Sequence, residues 1–320
     1  MHTTFLSCDW GTSSFRLRLI ETASGKTVAE SLSNEGIKQV YESWIKLKLA
    51  EDKRAGFYFS IIHRHIKLIQ KKVKIIESGI PVIISGMVSS NIGMIELPYT
   101  VLPFSMDTAD MEIRKMTGDD FYGFELQVIS GARTKTDVMR GEETQLIGCA
   151  GAATKASELF IFTGTHSKHV MVESGKATDL KTYMTGELFK LLADQSVLAS
   201  SVDPSGGEPD ENETAFEQGV KNGAAQPLLH SLFRVRTNQL LRRFSKTANY
   251  HYLSGLLIGS ELADIKKMQL EKLVLVGEER LIANYLKGLK ILAIGGGIKT
   301  IDAGLATIQG HLKVYQRLYA

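Results

Sequence analysis

The sequence predicts a two-domain α/β protein, and three observations carry that prediction. A strand, a tight turn of glycine and hydroxyl residues and a second strand open the chain at Phe5–Leu19, and the same series returns at Glu158–Glu173. Short apolar runs that read as buried strands alternate with amphipathic helices in both halves, the pattern of α/β folds. The length, 320 residues, suits two domains of ordinary size. The boundary is drawn at residues 141/142, giving domains 1–141 and 142–320.

Composition is that of a soluble globular chain, with 43% hydrophobic and 23% charged residues. A net charge of +3 is too small to argue for nucleic acid. No apolar run approaches the roughly 20 residues that span a bilayer, and the N-terminus lacks the pattern of a signal peptide. Two cysteines, Cys8 and Cys149, are too few for a disulfide framework and suit free thiols in the cytoplasm. The lysines around 46–53 and 67–74 read as solvated faces.

In the opening stretch, Phe5-Leu6 leads to Asp9, a turn of Gly11-Thr12-Ser13-Ser14 follows, and Phe15, Leu17 and Leu19 then alternate with Arg16 and Arg18. Alternation of this kind is a half-buried strand. Backbone N–H groups and hydroxyls at such a tip cradle phosphate oxygens, since glycine lets the backbone approach closely. Asp9 stands where a carboxylate holds a metal through oxygen or water, as magnesium prefers.

Thr27–Leu32 is a third strand. Helices are expected over Glu42–Arg54 and Phe57–Ile76, the second with Tyr58, Ile62, Ile66, Ile69, Val73 and Ile76 on one face. Gly79 and Pro81 stop it. Pro81–Ile84 is a buried strand that runs into Ser85–Gly93, a loop of small and polar residues at a strand's carboxyl end, where α/β sheets bind ligands. Glu96–Gly123 reads as irregular and Leu126–Ile129 as a strand. A slim helix with acids in its first turn follows Arg140, thinned by Gly148, Ala150, Gly151, Ala152 and Ala153.

In the second half, Glu158–Phe162, the turn Thr163-Gly164-Thr165-His166-Ser167-Lys168 and His169–Glu173 repeat the opening motif. A helix spans Thr185–Gln195, and Ser201–Glu213 reads as a polar loop. Helices follow at Ala215–Ala225, Pro227–Arg243 and His251–Lys267, the last with Gly255 and Gly259 for close packing. Lys272–Val276 is a strand, a helix starts after Gly277, Lys290–Ile294 is a last strand before Gly295–Gly297, and a final helix runs from Lys299.

Two halves with matching hairpin tips resemble the actin–hexokinase–Hsp70 superfamily of ATP-dependent proteins, a ribonuclease H-like fold with an interdomain nucleotide cleft. The resemblance places Asp9–Ser14 as the first phosphate loop, Thr163–Lys168 as the second and Leu273–Gly277 as the adenosine loop. The strings DWGTSSFRLRL, SGMVSSNIGMIELPY, VMRGEETQLIG, FTGTHSKHV, MTGEL and SGLLIGSEL are similar to those of the 2-dehydro-3-deoxygalactonokinase family. That resemblance implies phosphorylation of 2-dehydro-3-deoxy-D-galactonate at its terminal hydroxyl by ATP, with Mg2+, in galactonate breakdown.

The expected roles follow. Asp9 is the metal-associated carboxylate. Gly11, Thr12, Ser13, Ser14, Thr163, Gly164, Thr165, His166 and Ser167 bind phosphates, Gly277 belongs to the adenosine loop, and Lys168 either adds a charge there or is a solvated strand residue. His169 is a further nucleotide contact. Glu142, Asp137 and Glu143 are the acids near the crossing helix, where superfamily kinases keep their base, ranked in that order. A sugar acid needs a cation for its carboxylate, and arginine's planar fork suits it. Arg16 and Arg140 are the two choices. Gly86, Met87, Ser89, Ser90 and Asn91 offer N–H groups, hydroxyls and an amide to the sugar. Partners are a small sugar acid and ATP, with no nucleic acid or membrane, and a homodimer remains open. The alternatives are a kinase for another sugar or sugar acid, a nucleotide or polyphosphate phosphatase, and a chaperone or filament protein on the same fold. No room for a peptide-binding domain speaks against the chaperone.

Overall fold

A computed structural model describes residues 2–73, 79–108, 110–150, 157–266, 268 and 270–319. The chain divides into two compact units. One comprises Met1–Lys155, Val172–Leu180 and Ala303–Ala320; the other comprises Ala156–Met171 and Lys181–Asp302. In chain order the first half holds β1 (Thr4–Trp10), β2 (Phe15–Glu21), β3 (Thr27–Ser33), α1 (Ile37–Leu47), α2 (Arg54–Gln70) and β4 (Pro81–Gly86). There follow β5 (Thr100–Val101), β6 (Phe104–Ser105), β7 (Ile113–Met116), β8 (Glu125–Ile129), β9 (Ala132–Arg133), β10 (Val138–Met139) and α3 (Glu142–Cys149). The second half holds β11 (Ser157–Phe162), β12 (Ser167–Glu173), β13 (Lys176–Tyr183), α4 (Thr185–Gln195), α5 (Pro209–Ala225), α6 (Leu228–Leu240), α7 (Lys246–Leu262), β14 (Lys272–Gly277), α8 (Glu279–Ile291), β15 (Gly297–Asp302) and α9 (Ala303–Tyr319).

The first sheet has the order β3-β2-β1-β4-β8-β7. Its β1, β2 and β3 form an antiparallel meander, while β4 and β8 join parallel to β1 and to each other. The second sheet runs β15-β14-β11-β12-β13-β6, with β14 parallel to both β11 and β15. The order β13-β12-β11-β14-β15 thus repeats β3-β2-β1-β4-β8: a meander followed by two parallel strands. The echo heard in the two hairpins extends to a whole sheet.

Alternation works as the residue pattern requires. Phe15, Leu17 and Leu19 of β2 are buried against Leu6, Cys8 and Trp10 of β1 and against Tyr58, Phe59, Ile62, Ile66 and Ile69 of α2. A second core joins Leu159 and Ile161 of β11, Leu273 and Leu275 of β14, Ile258 and Leu262 of α7 and Tyr285 and Leu289 of α8. Helices cross closely where glycine replaces a side chain. A Cβ on Gly148 of α3 would lie 1.8 Å from the Ala306 carbonyl of α9, and one on Gly255 of α7 would lie 2.2 Å from the Phe216 carbonyl of α5.

Several elements differ from the sequence expectation. The first helix is Ile37–Leu47, ended by Lys48 in the left-handed conformation, and Glu51–Lys53 is a short 3-10 turn. Ile37, Val40 and Trp44 anchor it, so burial, not the acidic start at Glu42, sets its position. The second helix is Arg54–Gln70, and its last buried anchor is Ile69. Val73 still packs on the core, while Ile76 lies outside the described residues. Gly151–Ala153 and Lys267, the ends proposed for two further helices, also lie outside them.

The segment 96–123 contains β5, β6 and β7. The polar stretch 201–213 is partly helix, since α5 starts at Pro209 with Asp210 and Glu211 in its first turn. Proline at the first helical positions and acids at the positive helix end are start signals, which composition alone disguises as a loop. Helix α7 starts at Lys246, capped by the Ser245 hydroxyl, which accepts from the Ala248 amide. Residues 290–294 are not a strand. They are the end of α8 and its exit, with Leu289 and Leu292 in the core. The last strand is Gly297–Asp302, whose residues are nearly all exposed at a sheet edge and carry no apolar signature. The final helix accordingly starts at Ala303.

Candidate active site

In the first unit the β1–β2 turn is tied from two sides. The Gly11 amide donates to the Ser14 carbonyl at 2.9 Å, and the Ile37 and Lys38 amides of α1 donate to the Gly11 and Thr12 carbonyls at 3.0 and 3.2 Å. Gly36 makes this approach possible: a Cβ there would lie 2.1 Å from the Thr12 carbonyl and 2.3 Å from Ser13 Cα. Trp10 Nε1 donates to the Glu35 carbonyl at 2.8 Å. With the turn's carbonyls engaged, Thr12 and Ser13 at the tip stay exposed.

Asp9 is the next-to-last residue of β1, and Arg16 is its cross-strand partner. Arg16 Nη1 donates to Asp9 Oδ2 at 3.1 Å, with side chains 35% and 17% exposed. An ion pair at this exposure contributes at most about 1 kcal/mol, so an incoming cation or anion can displace it. Arg16 also lines a cavity of about 370 Å³ with Ser14, Phe15, Leu32, Ser33 and Asn34.

Strand β4 delivers the loop after Gly86. Gly86 has φ of +92°, and a Cβ there would lie 2.6 Å from the Trp10 carbonyl. Met87–Ser89 form a 3-10 turn, and Ser90 Oγ donates to the Met87 carbonyl at 2.7 Å. Two residues of α2, which sequence reasoning missed, hold this loop from behind. Arg54 donates to the Gly93 carbonyl at 2.8 Å and to the Asn91 carbonyl, and Tyr58 OH donates to the Ile92 carbonyl at 2.6 Å. Asn91 itself is exposed.

Arg140 packs its guanidinium over the Tyr99 ring, 4.2 Å from the centroid. It donates to the Ser89 carbonyl and, at 2.7 Å, to Ser89 Oγ. Its amide donates to Glu142 Oε2 at 3.0 Å. Glu143 is fully buried, and both its oxygens accept from the Gly141 amide at 2.9 and 2.7 Å. Burial, with the neighbouring Glu142 charge, pushes its carboxyl up to about 7. Glu142 is half-buried. Asp137 is also half-buried and accepts from the Val138 amide at 3.2 Å, in a turn where the Asp137 amide donates to Thr134 Oγ1. Gly141 comes close enough to Gly86 that a Cβ on it would lie 3.5 Å from Gly86 Cα. The first turn, the Gly86 loop and the start of α3 therefore converge within this unit.

Another missed residue lies beneath them. His311 of α9 is buried between Ser7 of β1 and Ser85 of β4, with Nδ1 2.7 Å from Ser7 Oγ and Nε2 2.9 Å from Ser85 Oγ. Burial, aided by the Arg18 charge, pulls its pKa down to about 3 and keeps the ring neutral. Arg18 Nε donates to Glu30 Oε2 at 3.2 Å.

In the second unit the β11–β12 turn exposes Thr165 and His166, and Thr163 and Gly164 are half-buried. The Thr163 amide donates to the Val276 carbonyl at 2.8 Å, which seats β14 and Gly277 against the turn; a Cβ on Gly277 would lie 2.0 Å from Thr163 Oγ1. The start of α4 closes on the other side. The Glu187 amide donates to the Thr165 carbonyl at 2.9 Å, and the Glu187 carboxylate meets His166 Nε2 at 2.5 Å. The next three side chains turn inward. Ser167 Oγ donates to Glu261 at 2.7 Å, Lys168 is buried and donates to Thr182 Oγ1 at 3.0 Å, and His169 Nε2 lies 2.8 Å from Glu261. Lys168 is therefore not a solvated strand residue, and the His169 ring is buried against Glu261.

The donor that Asp9 offers is an oxygen of hard character, a partly exposed carboxylate near a strand end. It fits a magnesium ion that keeps most of its waters and is held partly by substrate phosphates. Among the described residues no three His, Cys, Asp or Glu side chains cluster as a metal cage. No helix among them is long and apolar enough to cross a membrane.

Comparison with known proteins gives the family. The profile of the 2-keto-3-deoxy-galactonokinase family matches residues 9–314. A 2-dehydro-3-deoxygalactonokinase from Escherichia coli (strain K12) is 33% identical over 234 residues, covering 69% of this chain and 76% of that protein. A crystal structure of a candidate 2-dehydro-3-deoxygalactonokinase from Sinorhizobium meliloti superposes with a TM-score of 0.80 at 27% identity, covering 98% of this chain and 99% of that one. An activator of 2-hydroxyisocaproyl-CoA dehydratase from Clostridium difficile, with bound ADPNP, shares the fold at a TM-score of 0.50 and 10% identity over 98% of this chain and 95% of that one. The fold is that of the actin-like ATPases, and the chain belongs to the 2-keto-3-deoxy-galactonokinase family of carbohydrate kinases.

Proposed function

We propose that this protein transfers the γ-phosphoryl group of ATP to the terminal hydroxyl of 2-dehydro-3-deoxy-D-galactonate, giving the 6-phosphate. The family match over residues 9–314, which contains both turns, carries the reading. The first turn and the Gly86 loop serve the sugar and one side of the phosphates, within residues 1–141. The second turn and Gly277 serve the nucleotide, within residues 142–320.

Phosphoryl transfer asks for positioning, charge neutralisation and a proton acceptor. The amides of Thr12, Ser13, Ser14, Gly164, Thr165 and His166, with the hydroxyls of the first turn and of Thr165, supply donors to phosphate oxygens, while the Gly11 and Thr163 amides close the turns on the Ser14 and Val276 carbonyls. Ser167 and Lys168 act through their backbone and by fixing the strand, since their side chains are engaged inside. Asp9 would hold magnesium, whose chemistry is to neutralise charge on the phosphates. Glu142 takes the hydroxyl proton; it is half-buried at the N-terminus of α3, where the helix dipole favours the carboxylate. Glu143 is spent on the Gly141 amide and positions the Arg140–Glu142 segment. Asp137 is the second choice of base. Asn91 and the Gly86–Met87 backbone hold sugar hydroxyls, Ser89 and Ser90 are buried and shape the loop through Arg140 and the Met87 carbonyl, and Arg16 or Arg140 holds the carboxylate.

The test is an assay of ATP against a panel of 2-keto-3-deoxy sugar acids and neutral sugars, with the product's phosphate located by NMR. Highest kcat/KM for the galactonate derivative, with phosphate on its terminal carbon, supports the reading. A preference for another sugar, or phosphate release without a phosphorylated sugar, overturns it.

A further inference from the structure

The carboxylate of Glu261, on α7, is 3% exposed and collects four hydrogen bonds. Ser167 Oγ donates to Oε1 at 2.7 Å, and His169 Nε2 lies 2.8 Å from the same oxygen. Thr185 Oγ1 and, at 2.7 Å, Tyr285 OH donate to Oε2. The donors come from β12, α4 and α8, three elements with no other reason to meet at one atom group. A buried charge is tolerated only when its lone pairs are filled in this way. Burial would raise the Glu261 carboxyl, but the bonds from His169, Thr185 and Ser167 outweigh it and hold the group below its usual range.

Two of these elements make the second turn. Ser167 begins the strand that leaves it, and Thr185 opens the helix whose Glu187 amide binds the Thr165 carbonyl. Gly186 rests on the turn itself, since a Cβ there would lie 2.5 Å from the Gly164 carbonyl. A single carboxylate thus joins the turn's exit strand to the helix that braces its tip. We infer that Glu261 is a positioning residue for nucleotide phosphate binding, fixing the spacing between the β11–β12 turn and the start of α4. It touches no substrate; it acts through Ser167 and Thr185. The inference rests on the reading of the turn as a phosphate site.

The experiment measures KM for ATP, kcat and KM for the sugar acid, together with Tm, in wild type and four variants. Gly164→Val tests the turn itself: its Cβ meets nothing within 4 Å, so the added side chain projects over the turn without straining it. Glu261→Gln and Thr185→Val test the clamp, and the second decides should the first fail to fold. Tyr285→Phe removes a donor whose helix does not hold the turn. The clamp predicts that Glu261→Gln and Thr185→Val raise KM for ATP roughly tenfold, the effect of about one charge-assisted hydrogen bond. kcat and KM for the sugar acid should stay near wild type, and Tyr285→Phe should lower Tm alone. If Gly164→Val raises KM for ATP but neither clamp variant does, the inference is overturned and the turn's role stands. If Gly164→Val leaves KM for ATP unchanged, the turn's role falls and the inference with it.

Discussion

At the scale of single residues, chemistry at this site depends on how each charge is held. Asp9 is held lightly, by one half-exposed arginine, and so stays available to a cation. Asp9→Asn keeps the shape and loses the charge. It should cut kcat on the order of a hundred- to a thousandfold, as loss of one transition-state electrostatic contact does, with nucleotide affinity nearly unchanged by calorimetry. Wild-type turnover in magnesium would remove Asp9 from the mechanism. Arg16 and Arg140 separate by substrate. Replacing the true carboxylate partner with Ala should cost roughly 3–5 kcal/mol in kcat/KM for the acid, the loss from breaking a buried pair, and far less for a neutral analogue. If both variants lose activity equally on acid and neutral sugar, backbone amides of the Gly86 loop hold the carboxylate.

Glu143 and His311 give this unit a pH signature of opposite signs. The Glu143 carboxyl is raised from 4.5 to about 7, so the folded chain keeps a proton that the unfolded chain releases. Stability therefore falls as pH rises from 4.5 to about 7, by on the order of 3 kcal/mol. His311 is lowered from 6.5 to about 3, so the unfolded chain takes a proton that the folded one refuses, and stability falls as pH drops through that window. The two slopes cancel between about 4.5 and 6.5 and leave an acid limb below. Glu143→Gln, melted at pH 5 and pH 8, should gain on wild type at the higher pH. An equal difference at both would refute the assignment.

At the scale of elements, the site is made by glycines and anchors placed outside the motifs that advertise it. Gly36 lies 22 residues beyond Ser14, yet a methyl group there collides with the turn backbone. Gly36→Ala should destabilise by roughly 1–3 kcal/mol, as overpacking does, and should raise KM for ATP. A variant with unchanged Tm and KM would show that the turn adjusts freely. Elements with buried apolar runs, such as β4, β11 and β14, are legible in sequence because burial on both faces calls for unbroken runs such as Val82–Ile84, Leu159–Phe162 and Leu273–Val276. The strand β15 is illegible because it is exposed at an edge, and the start of α5 because acids and proline look alike in helix caps and loops. Boundaries of α1 and α2 shift because tertiary anchors such as Trp44 and Ile69 outweigh local composition.

At the scale of the whole molecule, the duplicated sheet order explains why reading two hairpins was enough to reach the fold. Each turn sits at the same place in its sheet, between the first and second strands of the meander. What sequence could not show is the support beneath the turns. His311 reaches Ser7 across 304 residues, and Glu261 gathers Ser167 from 94 residues away. No local periodicity encodes such pairs; only the closed fold brings them together. The exposed tip residues, by contrast, were legible because Gly, Thr and Ser at a strand-turn-strand have few other uses in such density.

The most direct test of this account is a single-turnover experiment with γ-labelled ATP, magnesium and 2-dehydro-3-deoxy-D-galactonate, following the label by mass spectrometry. The account predicts that the label appears on the terminal oxygen of the sugar acid at the rate at which ATP disappears. Label recovered as free phosphate, with the sugar acid unmodified, would contradict it.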